Sequence, residues 1–141
     1  MAGERKLLIP VDGPENSLRA LSYVIKRAAT DKRLRIYMLN VQPALPPSFF
    51  VTRAMIESHY EANSTESLVR ARRVLARAHL TAEVVVRVGA PAETILDFAR
   101  RKHCAEIVMG TRGLGSVKGL LLGSITTKLI HSTRVPVTVV P

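Results

Sequence analysis

Short apolar, β-branched segments alternate with amphipathic segments along the chain. Five apolar segments have the length and composition of strands: residues 5–11, 34–41, 82–89, 105–110 and 135–140. Between them, apolar residues recur at helical spacing in residues 15–29, 52–79, 91–103 and 124–133. The resulting order, β-α-β-α-β-α-β-α-β, predicts a parallel sheet connected by right-handed crossovers.

The strand segments are apolar almost throughout, which is typical of a sheet covered by helices on both faces. We therefore expect an α/β fold with a doubly wound, five-stranded parallel sheet in the spatial order 3-2-1-4-5. Ligands of such sheets bind outside the carboxyl ends of the strands, where the strand order reverses. The Asp12-Gly13 turn after strand 1 and the segment that starts at Gly110 after strand 4 meet at this reversal.

Length and composition indicate one domain, residues 1–141, in a reducing compartment. The 141 residues include a single cysteine, Cys104, so no intrachain disulfide is expected. The start of the chain, MAGERKLLIPVDG, lacks the apolar core of a signal peptide. No stretch approaches the about 18 apolar residues of a membrane span. We expect a cytoplasmic protein with no membrane partner.

The net charge of +10, from 21 basic and 11 acidic residues, favours anionic partners such as nucleotides, nucleic acid or anionic lipid. Arginines occur in several segments, including residues 70–79 and 100–103, and are typical of solvated helix faces. Three Phe, three Tyr and no Trp leave few rings for stacking on single-stranded nucleic acid. The scattered arginines and the scarcity of aromatics argue against a nucleic-acid partner.

Five of the eight glycines fall within residues 110–124. Gly110, Gly113, Gly123 and Ser124 form the pattern G-x2-G-x9-G-S. We expect Ser124 at the N-cap of a helix, whose first amides lack intrahelical partners and carry the positive end of the helix dipole. A phosphate chain could lie across these amides and those near Gly110. The alternative is a flexible surface loop with a glycine-based entry into the helix.

The motif residues resemble those of a known family. The segment from Gly110 to Val140 resembles the closing half of a universal stress protein domain, whose ATP-binding members carry G-x2-G-x9-G-[ST]. LLIPVDGPENSLRAL resembles the first strand, Asp-Gly turn and helix of that family, and residues 88–113 resemble its third helix and fourth strand. Only residues 42–65 are unspecific. The resemblance implies a Rossmann-like fold of the adenine nucleotide alpha hydrolase type.

The resemblance also implies an ATP site, transferred here position by position. Its residues would be Pro10, Val11 and Asp12 after the first strand, Val41 against the adenine, Met109, Gly110, Arg112 and Gly113 along the ribose and phosphates, and Gly123, Ser124 and Ile125 on the phosphates. Mg²⁺ or Mn²⁺ would be held mainly by the phosphates, with Asp12 as a candidate further ligand. Pro14 departs from the family, which usually has Ser there, and this weakens the metal assignment of Asp12.

The last segment, VPVTVV, is β-branched and is expected at an edge of the sheet, where exposed strands invite pairing. The family dimerises through this strand, so the resemblance implies a homodimer with Val135, Val137 and Val139 in its interface. The alternative is an edge shielded by the helices of the same chain.

No catalytic apparatus is evident in the sequence. The histidines at 59, 79, 103 and 131 stand singly on predicted helices, and no general base is placed to activate a water. Any ATP hydrolysis is therefore expected to be slow or dependent on a partner. The resemblance implies an ATP-binding, homodimeric stress-response or signalling module. The alternative is a nucleotide-independent dimeric scaffold of the same fold.

Overall fold

The computed structural model describes residues 3–11, 15–42, 44, 54–55, 68–110 and 123–141. The strands of this part of the chain are β1 (Arg5–Pro10), β2 (Leu34–Gln42), β3 (Ala82–Val88), β4 (Glu106–Gly110) and β5 (Val137–Val140). The helices are α1 (Glu15–Ala28), α2 (residues 68–77), α3 (Pro91–Arg101) and α4 (Ser124–Ser132). Most bounds lie within two residues of those expected from the sequence. Residues 54–55 are also helical, and the rest of the predicted helix 52–79 before residue 68 lies outside the described residues.

The five strands form one parallel sheet in the order β3-β2-β1-β4-β5, which confirms the doubly wound topology. β1 lies at the centre. It pairs with β2 from Arg5 to Pro10 and with β4 at Leu7 and Leu8. The chain therefore crosses over in opposite directions on either side of β1, and the carboxyl ends of β1 and β4 form the reversal point.

Helices cover both faces of the sheet because the strands alternate their side chains between two apolar clusters. Leu7 and Ile9 of β1 pack with residues of α1 and α2, whereas Leu8 packs with residues of α3 and α4. Leu7, Leu8 and Ile9 of β1 are fully buried. As expected for a sheet covered on both sides, β1, β2 and β4 are therefore apolar nearly throughout.

One ion pair interrupts the apolar contact between α1 and the sheet. Nη1 of Arg27, in the last turn of α1, lies 2.6 Å from Oε2 of Glu106, and the hydroxyl of Thr138 donates to the same oxygen at 2.9 Å. The side chain of Glu106 is only 12% exposed. Burial lowers the pKa of Arg27, but the hydrogen bond and the charge of Glu106 more than offset this, so that its pKa is raised. These contacts join α1, β4 and β5.

Removing the carboxylate should destabilise the fold because it leaves the Arg27 charge partly buried without a partner. We expect Glu106→Ala to lower the free energy of unfolding by about 2 kcal/mol in urea denaturation. The matched control is Glu93→Ala, which breaks an exposed ion pair with Lys128 and should cost under about 1 kcal/mol. Equal effects of the two substitutions would contradict the structural role of Arg27 and Glu106.

Two helices end on a histidine in the left-handed backbone conformation. His79 follows α2 with φ 56°, and His103 follows α3 with φ 55°. After α3, the amide of Cys104 donates to the carbonyl of Ala99 at 2.9 Å, and that of His103 donates to Arg100 at 3.2 Å. This is the Schellman arrangement, in which glycine usually takes the left-handed position. α2 ends with the same pair of bonds.

Glycine should relieve the steric strain of the left-handed position. We expect His103→Gly to raise the free energy of unfolding by about 1 kcal/mol, measured by urea or thermal denaturation. His131→Gly is the control, because His131 lies inside α4, where glycine should lower stability by about 0.5–1 kcal/mol. A loss of stability in His103→Gly would show that the imidazole contributes more than the strain costs.

Candidate functional site at the carboxyl edge of the sheet

The strand order brings three groups of predicted site residues to one edge of the sheet. Pro10 ends β1, Val41 lies next to the last residue of β2, and Gly110 ends β4. Because β2 and β4 both flank β1, these ends are neighbours. The amide of Val11 continues the pairing of β1 by donating to the carbonyl of Leu39 at 2.8 Å.

The site residues from the three strand ends are largely buried. Val11, Val41, Met109 and Gly110 are buried, and Pro10 is half-buried. Val41 and Met109 belong to the apolar cluster on the face covered by α3 and α4. Asp12, Arg112 and Gly113 lie outside the described residues, so their roles in the site stay predictions.

The start of α4 differs in one respect from the sequence-based prediction. Gly123, not Ser124, occupies the N-cap, with extended φ −68° and ψ 159°, and Ser124 is the first helical residue. No described side chain caps this end, and the Ser124 side chain is exposed. The first amides of α4 thus lack the serine cap that the sequence suggested. Ile125 packs against the same cluster as Met109, which anchors this end of α4 near the end of β4.

Thr126 adds a buried polar atom to the first turn of α4. Its side chain is fully buried, and its Oγ1 has no hydrogen-bond partner among the described residues. A buried hydroxyl without a partner is unfavourable by roughly 1–3 kcal/mol. Such groups are uncommon in native proteins and point to a water or ligand.

Asn40 and Gln42 are buried polar residues at this edge that the sequence analysis did not single out. Asn40 is 1% exposed, and its Nδ2 donates to the carbonyl of Val11 at 2.7 Å. Nε2 of Gln42 donates in turn to Oδ1 of Asn40. The side chains thus fix the backbone at the point where it leaves β1. The sequence does carry a sign of them, because Asn40 and Gln42 are the two polar residues at the end of the otherwise apolar run YMLNVQ.

Replacing the Asn40 amide by a carboxylate of the same shape tests this fixation. In Asn40→Asp, an oxygen would face the carbonyl of Val11 instead of a donor, and we expect a loss of about 2–3 kcal/mol at pH 7. The buried carboxyl would have a raised pKa in the folded state. The folded state would then bind more protons than the unfolded state, so the loss should shrink as the pH falls towards 5.

Urea denaturation at pH 7 and at pH 5 measures the loss of stability and its dependence on pH. Gln42→Ala serves as the control, because it removes the outer amide but leaves the bond between Asn40 and Val11, and its smaller loss should not depend on pH. An Asn40→Asp variant as stable as the wild type at pH 7 would contradict the role of the amide.

The described residues show little of the chemistry of a hydrolytic or metal site. Within the described ranges, no three His, Cys, Asp or Glu side chains are grouped so as to hold a metal ion. Cys104 is buried, as expected, and burial raises the pKa of its thiol, which disfavours the reactive thiolate. No helix in the described part is long and apolar enough to cross a membrane.

Among the described strands, β5 lies at an edge of the sheet, as the sequence predicted, and pairs on one side only, with β4. Val135, Val137 and Val139 are each half-buried. Val135 and Val137 pack against the cluster under α3 and α4. Their part in a dimer interface stays a prediction.

Comparison with known proteins identifies the family. The family model described as the universal stress protein family matches residues 4–141. The chain belongs to the universal stress protein family. A universal stress protein from Thermus aquaticus is 31% identical over 141 residues, covering 96% of this chain and 98% of the relative. One from Methanocaldococcus jannaschii is 29% identical over 138 residues, covering 96% and 81%.

Solved structures of universal stress proteins share the fold. A universal stress protein in complex with cAMP superposes with a TM-score of 0.74, at 23% identity and 99% coverage of both chains. The protein from Archaeoglobus fulgidus in complex with dAMP gives 0.71, at 20% identity and 100% coverage of both. An Arabidopsis thaliana family protein with AMP bound gives 0.70, at 20% identity, covering 96% of this chain and 90% of that one.

Proposed function

We propose that this universal stress protein binds ATP at the carboxyl edge of its sheet. The proposal rests on the ends of β1, β2 and β4, which meet at one edge of the sheet, and on the N-terminus of α4. This helix begins at the last glycine of G-x2-G-x9-G-S, and no described side chain caps it. Free helix amides and the dipole favour bound phosphate. Relatives of the same fold are complexed with cAMP, dAMP or AMP, which supports an adenine nucleotide as the ligand class.

Each residue of the site would contact the part of the nucleotide nearest to its position in the fold. Val41 would contact the adenine, with Pro10 and Val11 beside it at the end of β1. Met109, Gly110, Arg112 and Gly113 would follow the ribose and phosphates, and Gly123, Ser124 and Ile125 would offer amides and a hydroxyl to the phosphates. The partnerless hydroxyl of Thr126 supports a polar occupant near this turn.

A divalent cation, Mg²⁺ or Mn²⁺, would neutralise charge on the phosphates and be held mainly by them. Asp12 would be the protein residue best placed to assist, because it directly follows Val11. No described residue acts as an evident general base. The protein would therefore work as a nucleotide-occupied signalling or protective module in the cytoplasm, with slow or partner-dependent hydrolysis at most.

The protein would act as a homodimer through β5. The edge position of this strand leaves its outer hydrogen-bonding groups available to a second copy. Val135, Val137 and Val139 would supply the apolar part of the interface. Pairing through an edge strand would extend the sheet from one subunit to the next.

Gly123→Val tests the nucleotide site directly. Gly123 has a φ of −68°, which valine also adopts, so the added bulk should block the approach of phosphate without straining the backbone. We expect wild-type protein to bind ATP in calorimetric titration, more tightly with Mg²⁺, and Gly123→Val to bind at least about tenfold more weakly, a difference of about 1.4 kcal/mol.

Gly3→Val is the matched control, because nothing lies within 4 Å of a Cβ at Gly3 and its binding should equal that of the wild type. Chromatography of nucleotides released by denaturing freshly purified protein adds a second readout. If wild-type protein neither contains nor binds adenine nucleotide but is dimeric by light scattering, the nucleotide-independent scaffold replaces this proposal.

A further inference from the structure

The carboxylates of the described residues are all used in ion pairs. The six acidic residues whose side chains the structure describes each lie within 4 Å of a basic group: Glu4, Asp31, Glu83, Glu93, Asp97 and Glu106. Their partners lie in β1, β2, α3, α4, the residues after α1 and the end of α1. None of these pairs involves a basic residue of α2.

One face of the molecule therefore carries cations without acidic neighbours among the described residues. It is formed by the outer sides of α1 and α2, which both pack on the same apolar cluster. We call it the α1–α2 face and define it by six exposed residues without a described carboxylate partner: Arg19, Lys26, Arg70, Arg72, Arg73 and Arg77. This face carries formal charge +6, by count of these six side chains.

Helical geometry concentrates this charge. Leu68, Ala71 and Leu75 form the buried stripe of α2. With a rotation of about 100° per residue, Arg70, Arg73 and Arg77 project from the opposite side of the helix. These three arginines form a row about 10 Å long at about 1.5 Å per residue.

The face of the sheet that α3 and α4 cover has a different balance of positive and negative charge. On α3 and α4, Lys128 pairs with Glu93 at 3.0 Å, and Asp97 pairs with both Arg100 and Arg101. Basic residues there are partly neutralised by carboxylates on the same surface. Among the described side chains, positive charge without a carboxylate partner is therefore concentrated in the layer of α1 and α2.

We propose that the α1–α2 face binds the phosphate backbone of double-stranded nucleic acid without sequence specificity. Five of its six cations are arginines, whose planar, forked guanidinium groups match pairs of phosphate oxygens better than lysine does. Duplex DNA presents about one phosphate charge per 1.7 Å of its axis with both strands counted, so the row on α2 spans about six phosphates of the two strands, or about three of one strand. None of these residues belongs to the proposed ATP site.

The chemistry of the face favours a duplex over other anions. Tyr23 and Val69 are the exposed large apolar side chains described on these two helices. Their apolar surface is far smaller than that which amphipathic helices insert into a membrane. A protein interface would also be expected to have an apolar core. Single strands are bound largely by stacking on several aromatic rings, whereas backbone contacts to a duplex require none.

The experiment measures binding of full-length protein to a fluorescein-labelled 20-bp DNA duplex by anisotropy at 50, 100 and 200 mM salt. The variant is Arg70→Ala/Arg73→Ala/Arg77→Ala, in which alanine preserves helix propensity. We expect micromolar binding by the wild type at 50 mM salt and at least tenfold weaker binding by the variant. The slope of log K against log salt should become shallower by about 2–3, because three phosphate contacts are lost.

The matched control is Arg100→Ala/Arg101→Ala/Arg134→Ala, which removes the same charge from the opposite helical layer and should bind as the wild type does. Circular dichroism confirms that both variants are folded. The proposal is overturned if the wild type does not bind the duplex or if both variants weaken equally. It is also overturned if a 20-nucleotide single strand, or vesicles containing phosphatidylserine, bind more tightly with the same dependence on the three α2 arginines.

Discussion

Everything in this molecule depends on the parallel pairing of β1 with two strands from distant parts of the sequence. β1 pairs with β2 on one side and with β4 on the other, and its alternate residues enter both apolar clusters. Parallel neighbours require crossover connections, so the chain must leave β1 and β4 over opposite faces. That divergence leaves an opening at the carboxyl ends of β1 and β4, which is where ligands of doubly wound sheets bind.

Two groups of buried or partly buried polar residues stabilise the sheet, one at each end of its strands. At the amino end, Arg27 and Glu106 join the first helix to the strands of the other half of the sheet. At the carboxyl end, Asn40 donates to the carbonyl of Val11, which directly follows β1, and Gln42 donates to the Asn40 side chain. Each group satisfies buried donors and acceptors that would otherwise destabilise the fold. The second group also holds in place the strand end from which the proposed site begins.

The fold and the family could be predicted because they rest on local patterns. Alternating periodicities gave the strand order, and the spacing of Gly110, Gly113 and Gly123 gave the family resemblance that the comparisons bear out. The N-cap was misplaced by one residue because serine favours that position and the sequence does not reveal where φ becomes helical. Asn40 was missed because its importance lies in the carbonyl of Val11, 29 residues away in the chain.

The sequence by itself determined the alternation of strands and helices, the glycine motif and a net charge of +10, since each is a property of neighbouring residues or of a sum. Only the tertiary structure decided which residues share a surface. The arginines of α2 are close together in the sequence, but only the packing of α1 and α2 on the same apolar cluster, with no described carboxylate paired to α2, shows that they share a surface with the cations of α1. Ion pairs such as that of Arg27 with Glu106 join residues far apart in the chain, so the pattern of neighbouring residues does not reveal them.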